Sequence, residues 1–344
     1  MSLEPTEPAA ALARLRLRRV AGWTRRHPLR SLGLVLSAGF VTLNALAFAH
    51  AGAMTTFAPA GESTARPEAL SLGGRASALV FGVRVRRPVN HRTPAAAGLP
   101  FSTEVLDARG SEVEVWLVPH EASRGVVVLC HGYAASKASL IPVAEEFYAR
   151  GYSCLLVDFR GSGGSAGSTT SLGYHEAADV AAAVHRADEL AGPGQPVIVF
   201  GTSMGAAAVL RAIHTESIAP SALILEAPYN RLLDTVRNRF RLLGVPSFPS
   251  AELLVFWGGV RGGIDGFAHD PADYAASVTC PTLILHGDQD QRVSVTEVRE
   301  VFDGLSAESR ELVLLEGVGH ESYVAACGPV WRAAVGEFLA SLAE

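Results

Sequence analysis

The strongest chemical signal in the sequence is a serine between two glycines, in the run GTSMG at 201–205. The apolar run PVIVF at 196–200 precedes it and an alanine-rich run follows it, which predicts a strand, a tight turn and a helix. Positions flanking a serine on such a turn must be tiny, because side chains there would clash. The pattern predicts that Ser203 is a nucleophile between Gly201 and Gly205. A plain glycine-rich loop is the alternative interpretation.

A serine hydroxyl is a poor nucleophile unless a general base lies within hydrogen-bond reach. Four histidines follow Ser203 in the chain. His214 lies on the same predicted helix, His269 lies in an insertion, and His286 ends an apolar strand. His320 lies in the loop GVGHE at 317–321, after the last predicted strand, where the chain can return above the serine. We therefore predict that His320 is the base.

A third group must hold the imidazole in the correct tautomer and stabilise its protonated form. The loop GDQDQRV at 287–293 offers Asp288 and Asp290 directly after a predicted strand. Asp288 follows a glycine, which is typical of a turn whose side chain bonds its own backbone. We predict that Asp290 orients His320, with Asp288 as the alternative.

The negative charge that develops on a substrate oxygen needs two backbone N–H donors. One donor is expected to be Met204, directly after the nucleophile. The other is expected to be Tyr133, in the loop HGYA at 131–134, where Gly132 lets the backbone approach closely. His131 is interpreted as a packing residue below this oxyanion hole rather than as a second base.

These residues fall between short apolar runs that alternate with helical stretches from about residue 101 onward. Continuous apolar runs such as GVVVLC at 125–130 and YSCLLVD at 152–158 are typical of strands covered on both faces. The alternation predicts an α/β fold with a mostly parallel central sheet of about eight strands, flanked by helices.

The chain from about 101 to 344 resembles the α/β-hydrolase superfamily, and within it the serine-aminopeptidase-like and lysophospholipase-like group. The resemblance is carried by HG at 131–132, DFRGSGGS at 158–165, GTSMG, the loop 287–293 and GH at 319–320. It implies the α/β-hydrolase fold and a serine-hydrolase mechanism, but it does not identify the substrate. In this fold an insertion such as 228–278 forms a short helical cap over the active site. Its apolar residues are expected either to line a lipophilic cleft or to pack on their own domain.

The N-terminal region has a different composition. Residues 1–30 hold seven arginines and predict a basic cytoplasmic tail, and 31–61 contain no Asp, Glu, Lys or Arg. About 20 apolar residues cross a bilayer as a helix, so we predict a signal-anchor helix at 31–51 with the catalytic domain outside the cytoplasm. A linker is expected at 52–100. A secretory signal cleaved after AHA at 49–51 is one alternative, and a buried amphipathic helix is another.

Composition restricts the function further. The net charge of −5 is distributed as a basic tail on an acidic remainder, so nucleic acid is not expected as a partner. The four cysteines match no zinc spacing, although Cys280 and Cys327 could form a disulfide. We expect no metal and no organic cofactor. The prediction is a membrane-tethered serine hydrolase that cleaves a hydrophobic, lipid-like ester, or less favourably an amide or peptide bond. An acyltransferase with the same residues and a non-catalytic binding protein are the alternatives, and the oligomeric state is not indicated.

Overall fold

The computed structural model describes residues 26–59, 61, 63–65 and 69–342. A single sheet of eight strands forms its centre. The strands are β1 (Ser102–Ala108), β2 (Ser111–Val118), β3 (Val126–Cys130), β4 (Ser153–Val157), β5 (Val197–Thr202), β6 (Ala222–Glu226), β7 (Thr282–Gly287) and β8 (Arg310–Leu315).

The strand order across the sheet is β1-β2-β4-β3-β5-β6-β7-β8. β1 and β2 form an antiparallel hairpin, and β2 pairs antiparallel with β4. Every other neighbouring pair is parallel. The predicted mostly parallel α/β sheet is therefore confirmed, with an antiparallel start. The carboxyl ends of the parallel strands share one edge, where the loops after β3, β5, β7 and β8 meet.

Helices cover both faces of the sheet. The helices are α1 (Pro28–Thr55), α2 (Leu72–Phe81), α3 (Ile141–Ala149), α4 (Glu176–Leu190), α5 (Met204–Thr215), α6 (Leu232–Leu243), α7 (Ser250–Gly262), α8 (Pro271–Tyr274), α9 (Val295–Gly304), α10 (Tyr323–Ala326) and α11 (Gly328–Ser341).

Strand β3 shows how the sequence builds this layered core. Val126 and Val128 pack into the core beneath α4 and α5, while Val127 and Leu129 pack into the opposite core beneath α3 and α11. Successive side chains of a strand point to opposite faces, so a central strand needs apolar residues at every position. All five residues of β3 are buried, as the continuous run at 125–130 predicted.

Two helices between β6 and β7 form the cap. α6 and α7 share a small apolar core of Leu232, Val236, Ala251 and Val255, against which Leu172 from the loop before α4 packs. The cap is thus packed on its own residues and at the same time on the loop before α4.

The first helix, α1, has 28 residues and is, among the described residues, the one helix long and apolar enough to cross a membrane. At ~1.5 Å per residue it extends for roughly 42 Å. Several of its large apolar side chains are exposed, including Leu34, Val35, Phe40 and Val41. The chain divides into two units between Ala47 and Phe48.

The stretch that follows α1 lies within the second unit. Thr56 forms a bridge with Thr169, and Ala58 forms one with Arg86. Phe57 is only 2% exposed. Residues 56–58, within the segment expected to be a linker, therefore make backbone contacts with the body of the second unit. All four cysteines carry free thiols, so the suggested pairing of Cys280 with Cys327 is absent from this structure.

Candidate active site

Ser203 lies at the turn between β5 and α5 in an unusual backbone conformation. Its φ is 53° and its ψ is −113°. A residue with a side chain pays about 1–3 kcal/mol to adopt such a conformation, which persists only where the surroundings enforce it. Here the Ser203 N–H donates to the Glu226 carbonyl at 2.7 Å, and the Ala207 N–H donates to the Ser203 carbonyl at 3.1 Å. The half-buried serine is thus held by the neighbouring strand and by its own helix.

The two flanking glycines are required by close backbone contacts. A Cβ on Gly201 would lie 2.9 Å from the Ala206 backbone, and one on Gly205 would lie 2.4 Å from the Cys130 carbonyl oxygen. These distances are too short for any side chain. The helix α5 therefore begins directly against the end of β3, which brings the loop after β3 close to Ser203.

Asp290 and His320 are joined by a short hydrogen bond. The His320 Nδ1 lies 2.6 Å from Asp290 Oδ2. The other carboxylate oxygen of Asp290 accepts from the N–H groups of Arg292 at 2.8 Å and Val293 at 3.1 Å. Burial alone would raise the pKa of Asp290, but the hydrogen bond and charge of His320 and these two amides outweigh it and lower the pKa. Asp290 is therefore a fixed carboxylate that holds Nδ1 and leaves Nε2 available.

Asp288, the alternative acid, has a different role. Its Oδ1 accepts from the Gly317 N–H at 2.7 Å. Gly317 has a φ of 72°, a conformation that favours glycine. Asp288 thus ties the loop after β7 to the loop after β8, and it contacts the backbone of the His320 loop rather than the imidazole.

Ser203 and His320 line one cavity, which we call the serine cavity. Its other residues come from the end of α1, from the loops after β3, β4, β6 and β7, from the start of α5 and from α6. They are Met54, Tyr133, Leu172, Met204, Tyr229, Leu232, Thr235, Val236, Arg239 and Val293. The nucleophile, base and acid predicted from sequence are thus brought to one place by three separate loops at the carboxyl edge of the sheet.

The two predicted oxyanion donors also face this cavity. Tyr133 and Met204 both line it, and no hydrogen bond in the described structure uses either N–H as a donor. Met204 is the first residue of α5, whose N-terminal amides have no acceptor within the helix. Ala134 has a φ of 55°, which turns the loop sharply after Tyr133. Two unpaired amides beside Ser203 can bind an oxyanion.

His131 is fully buried below this loop. Its Nδ1 lies 2.8 Å from the Gly132 carbonyl, and its Nε2 accepts from the Phe159 N–H at 3.1 Å. Burial lowers the pKa of His131, so the ring is neutral and carries its proton on Nδ1. It joins the loops after β3 and β4, which agrees with the packing role expected from sequence.

Other histidines of the second half of the chain make contacts away from Ser203. His214 bonds the Ser277 hydroxyl at 2.8 Å, and His269 lies 3.0 Å from the Tyr229 hydroxyl. Burial lowers the pKa of His269 to about 4. Of the histidines in the described part of the chain, His320 is the one that lines the serine cavity.

The run DFRGSGGS forms a buried charged support rather than part of the cavity. Asp158 accepts from Lys137 Nζ at 2.6 Å and from the Lys137 N–H at 2.7 Å. Lys137 also contacts Glu114 at 2.6 Å. A Cβ on Gly163 would lie 1.9 Å from the Asp158 carboxylate. The motif thus fixes the loop after β4 with a buried ion pair, which its spacing in the sequence did not reveal.

Sequence reasoning also missed one part of the site. Met54, in the last turn of α1, lines the serine cavity, and its carbonyl accepts from the Tyr133 hydroxyl at 2.7 Å. Burial raises the pKa of Tyr133 to about 12, so the hydroxyl stays protonated and remains a donor. The signal in the sequence was that the stretch without charged residues continues past the predicted span at 31–51, as far as residue 61.

Comparison with known proteins supports the fold and indicates a class of chemistry. The family model described as serine aminopeptidase, S33, matches residues 121–250. The uncharacterized protein Rv2307c of Mycobacterium tuberculosis (strain ATCC 25618 / H37Rv) is 30% identical over 268 residues, which cover 73% of this chain and 86% of that protein. The monoacylglycerol lipase of Mycolicibacterium smegmatis is 29% identical over 247 residues, covering 61% and 85%.

Among solved structures, the esterase Pf2001 of Pyrococcus furiosus superimposes with a TM-score of 0.64 at 24% identity. The match covers 74% of this chain and 96% of the esterase. At this identity the likeness concerns the fold.

Proposed function

This chain belongs to the α/β-hydrolase superfamily, and we propose that it is a serine hydrolase that cleaves hydrophobic esters through an acyl-enzyme intermediate on Ser203. One observation carries the proposal: Ser203, in its forced backbone conformation, lines the same cavity as the His320 imidazole that is paired with Asp290. A serine used only for packing gives no reason for the positive φ or for the two glycines beside it.

In the proposed reaction, the Ser203 hydroxyl attacks the ester carbonyl carbon while His320 Nε2 takes its proton. Asp290 stabilises the resulting imidazolium through Nδ1. The carbonyl oxygen becomes negative and accepts hydrogen bonds from the N–H groups of Tyr133 and Met204. His320 then returns the proton to the departing alcohol oxygen. Water, deprotonated in turn by His320, attacks the acyl carbon, and the acid is released with Ser203 restored.

The cavity lining supports a hydrophobic substrate. Apolar side chains of Met54, Leu172, Leu232 and Val236 surround the space next to Ser203. The printed name of one relative, a monoacylglycerol lipase, agrees with a lipid-like ester. We therefore propose an ester with an aliphatic acyl group as the substrate class, with residues 101–344 as the catalytic domain and 228–278 as its cap.

We further propose that α1 anchors the protein in a membrane with the catalytic domain outside the cytoplasm. The support is the length and composition of the helix, together with seven arginines before residue 31. Positive flanks resist translocation. Alkaline phosphatase fused after residue 344 is expected to be active in cells. An inactive fusion that becomes active only after cell lysis would place the domain on the cytoplasmic side.

The enzymatic proposal is tested by hydrolysis of p-nitrophenyl butyrate by the full-length chain in detergent. Ser203→Ala is expected to reduce kcat by at least about 10³-fold, since the nucleophile is removed. Ser306→Ala changes an exposed serine that lies outside the lining of the serine cavity, so it is the matched control and should retain wild-type activity. Equal activity of the two variants would refute the assignment.

A further inference from the structure

A second cavity lies beside the serine cavity, between the end of α1 and the cap; we call it the helix cavity. It is lined by four elements: α1, the two cap helices α6 and α7, and the loop before α4. Its lining is Ala51, Met54, Thr55, Thr170, Ser171, Leu172, Leu232, Val236, Leu254, Val255, Gly258, Gly259, Gly262 and Ile264.

The two cavities share part of their lining. Met54, Leu172, Leu232 and Val236 line both of them. A chain of methylene groups attached to the Ser203 oxygen would meet these apolar side chains first and the helix cavity beyond them. Thr235 and Arg239 line the serine cavity alone. The polar side chains that line the helix cavity are Thr55, Thr170 and Ser171, whose hydroxyls donate to the Ala51 carbonyl and to the Glu176 carboxylate.

The end of α1 is fixed in place by backbone hydrogen bonds. The Thr170 N–H donates to the Thr55 carbonyl at 3.0 Å, and the Phe57 N–H donates to the Ser168 carbonyl at 2.7 Å. Ala51 and Met54 lie one turn apart and therefore on the same face of the helix. Ala51 is only 3% exposed. This part of α1 is thus as firmly built into the catalytic unit as the cap is.

Helix α7 forms the opposite wall. Phe48 of α1 packs edge-on against Trp257 of α7, with ring centroids 5.4 Å apart. Beside this contact, Gly258, Gly259 and Gly262 line the cavity without side chains. A Cβ built on Gly258 meets no atom within 4 Å. Helix packing therefore does not require a glycine at position 258. The missing side chain leaves open space between α7 and α1.

We propose that the helix cavity binds the acyl chain of the substrate, so that the last two turns of the membrane-anchor helix form one wall of the substrate site. The inference rests on the proposed ester hydrolysis at Ser203 and adds the substrate class: esters of long-chain fatty acids. Ala51 is the last residue of the predicted span at 31–51, so the acyl site lies where the chain leaves the bilayer. A fatty acyl chain can then enter from the lipid phase without crossing water.

The test measures the ratio of kcat/KM for p-nitrophenyl laurate to that for p-nitrophenyl butyrate, using the full-length chain in detergent. Ala51→Phe fills the cavity from α1 and Gly258→Leu fills it from α7. Each substitution is expected to lower the ratio at least about tenfold. The added side chain takes up space that several methylene groups of the laurate chain would occupy, and hydrophobic pockets discriminate between substrates by the methylene groups they can accommodate. Gly336→Leu is the matched control, because this helical glycine also has open space around its Cβ and lies outside both cavities. It should leave the ratio unchanged.

Labelling of Ser203 by a fluorophosphonate in each variant reports whether the site is assembled. If a variant is not labelled, the ratio of kcat/KM for the two esters is measured instead in the smaller substitution at the same position, Ala51→Val or Gly258→Ala. A ratio within about twofold of wild type in the labelled cavity variants would overturn the acyl-site proposal while leaving Ser203 as the nucleophile. Failure of the wild type itself to be labelled would instead overturn the proposed function.

Discussion

Replacement of Asp290 by asparagine tests the orientation of the base with little change in shape. The asparagine oxygen can still accept from the N–H groups of Arg292 and Val293, which now bond Asp290 Oδ1 at 2.8 and 3.1 Å. The amide nitrogen would then face His320 Nδ1, at the position where a carboxylate oxygen now lies 2.6 Å away. Because an amide nitrogen only donates, the imidazole must present an unprotonated Nδ1 and carry its proton on Nε2.

That tautomer cannot accept a proton from Ser203, and the imidazolium also loses its negatively charged partner. Both effects act on the same proton transfer. A loss of about 10³–10⁴-fold in kcat is expected, which corresponds to roughly 4–5.5 kcal/mol of the activation barrier. The pKa of Asp290 is lowered, so in the wild type this carboxylate remains ionised well below neutral pH, and any fall in activity around pH 5–7 must come from another group.

The assay is steady-state hydrolysis of p-nitrophenyl butyrate, with Asp288→Asn as the matched control. In the control, the asparagine oxygen can still accept from the Gly317 N–H, so activity should stay within about threefold of wild type. A large loss in Asp288→Asn together with less than tenfold loss in Asp290→Asn would refute the reasoning and make Asp288 the functional acid.

Three further predictions concern the fold and the anchor. Gly205→Ala should prevent the tight turn at Ser203 from forming, because the added Cβ would lie 2.4 Å from the Cys130 carbonyl oxygen. The expected result is a loss of soluble protein that reacts with a fluorophosphonate, and a fully active variant would contradict the prediction. Burial raises the pKa of Glu226 from 4.5 to about 7. Its contribution to stability is therefore fully present below pH 4.5 and is lost as pH rises through about 7. In urea titrations, the unfolding free energy of the wild type relative to Glu226→Gln should fall by up to about 3 kcal/mol between pH 4.5 and 8. A difference between the two proteins that stays constant with pH would show that the folded-state pKa is not raised. Intact-mass analysis of the membrane-extracted protein should find α1 uncleaved, since cleavage after Ala51 would remove a buried residue of the helix cavity. A mature chain starting at Gly52 would contradict this.

The sheet and the tight turn at Ser203 could be predicted from the sequence because their signals are local. Each buried strand is a short apolar run, and the run at 125–130 predicts β3 (Val126–Cys130) to within one residue. The glycines beside Ser203 are dictated by contacts of the turn itself. The interpretation of 282–293 as a strand followed by a polar loop likewise needs only neighbouring residues.

Contacts between distant segments were not accessible in the same way. Lys137 lies among small residues and Asp158 ends the apolar run at 152–158, and nothing local indicates that their side chains meet in a buried ion pair at 2.6 Å. The position of Met54 in the lining of the serine cavity depends on how the end of α1 packs on Tyr133 and on the cap. A hydropathy pattern identifies an apolar helix, but it does not tell which of its turns packs against the rest of the protein.

The central claim is that Ser203 is an activated nucleophile, and the most direct measurement is the site of covalent modification. The purified full-length chain would be treated with a fluorophosphonate, digested, and the modified residue located by tandem mass spectrometry. We predict one phosphonylated serine, Ser203, and a labelling rate that falls sharply in His320→Ala. A chain left unmodified, or modified at another serine at a rate independent of His320, would contradict the account.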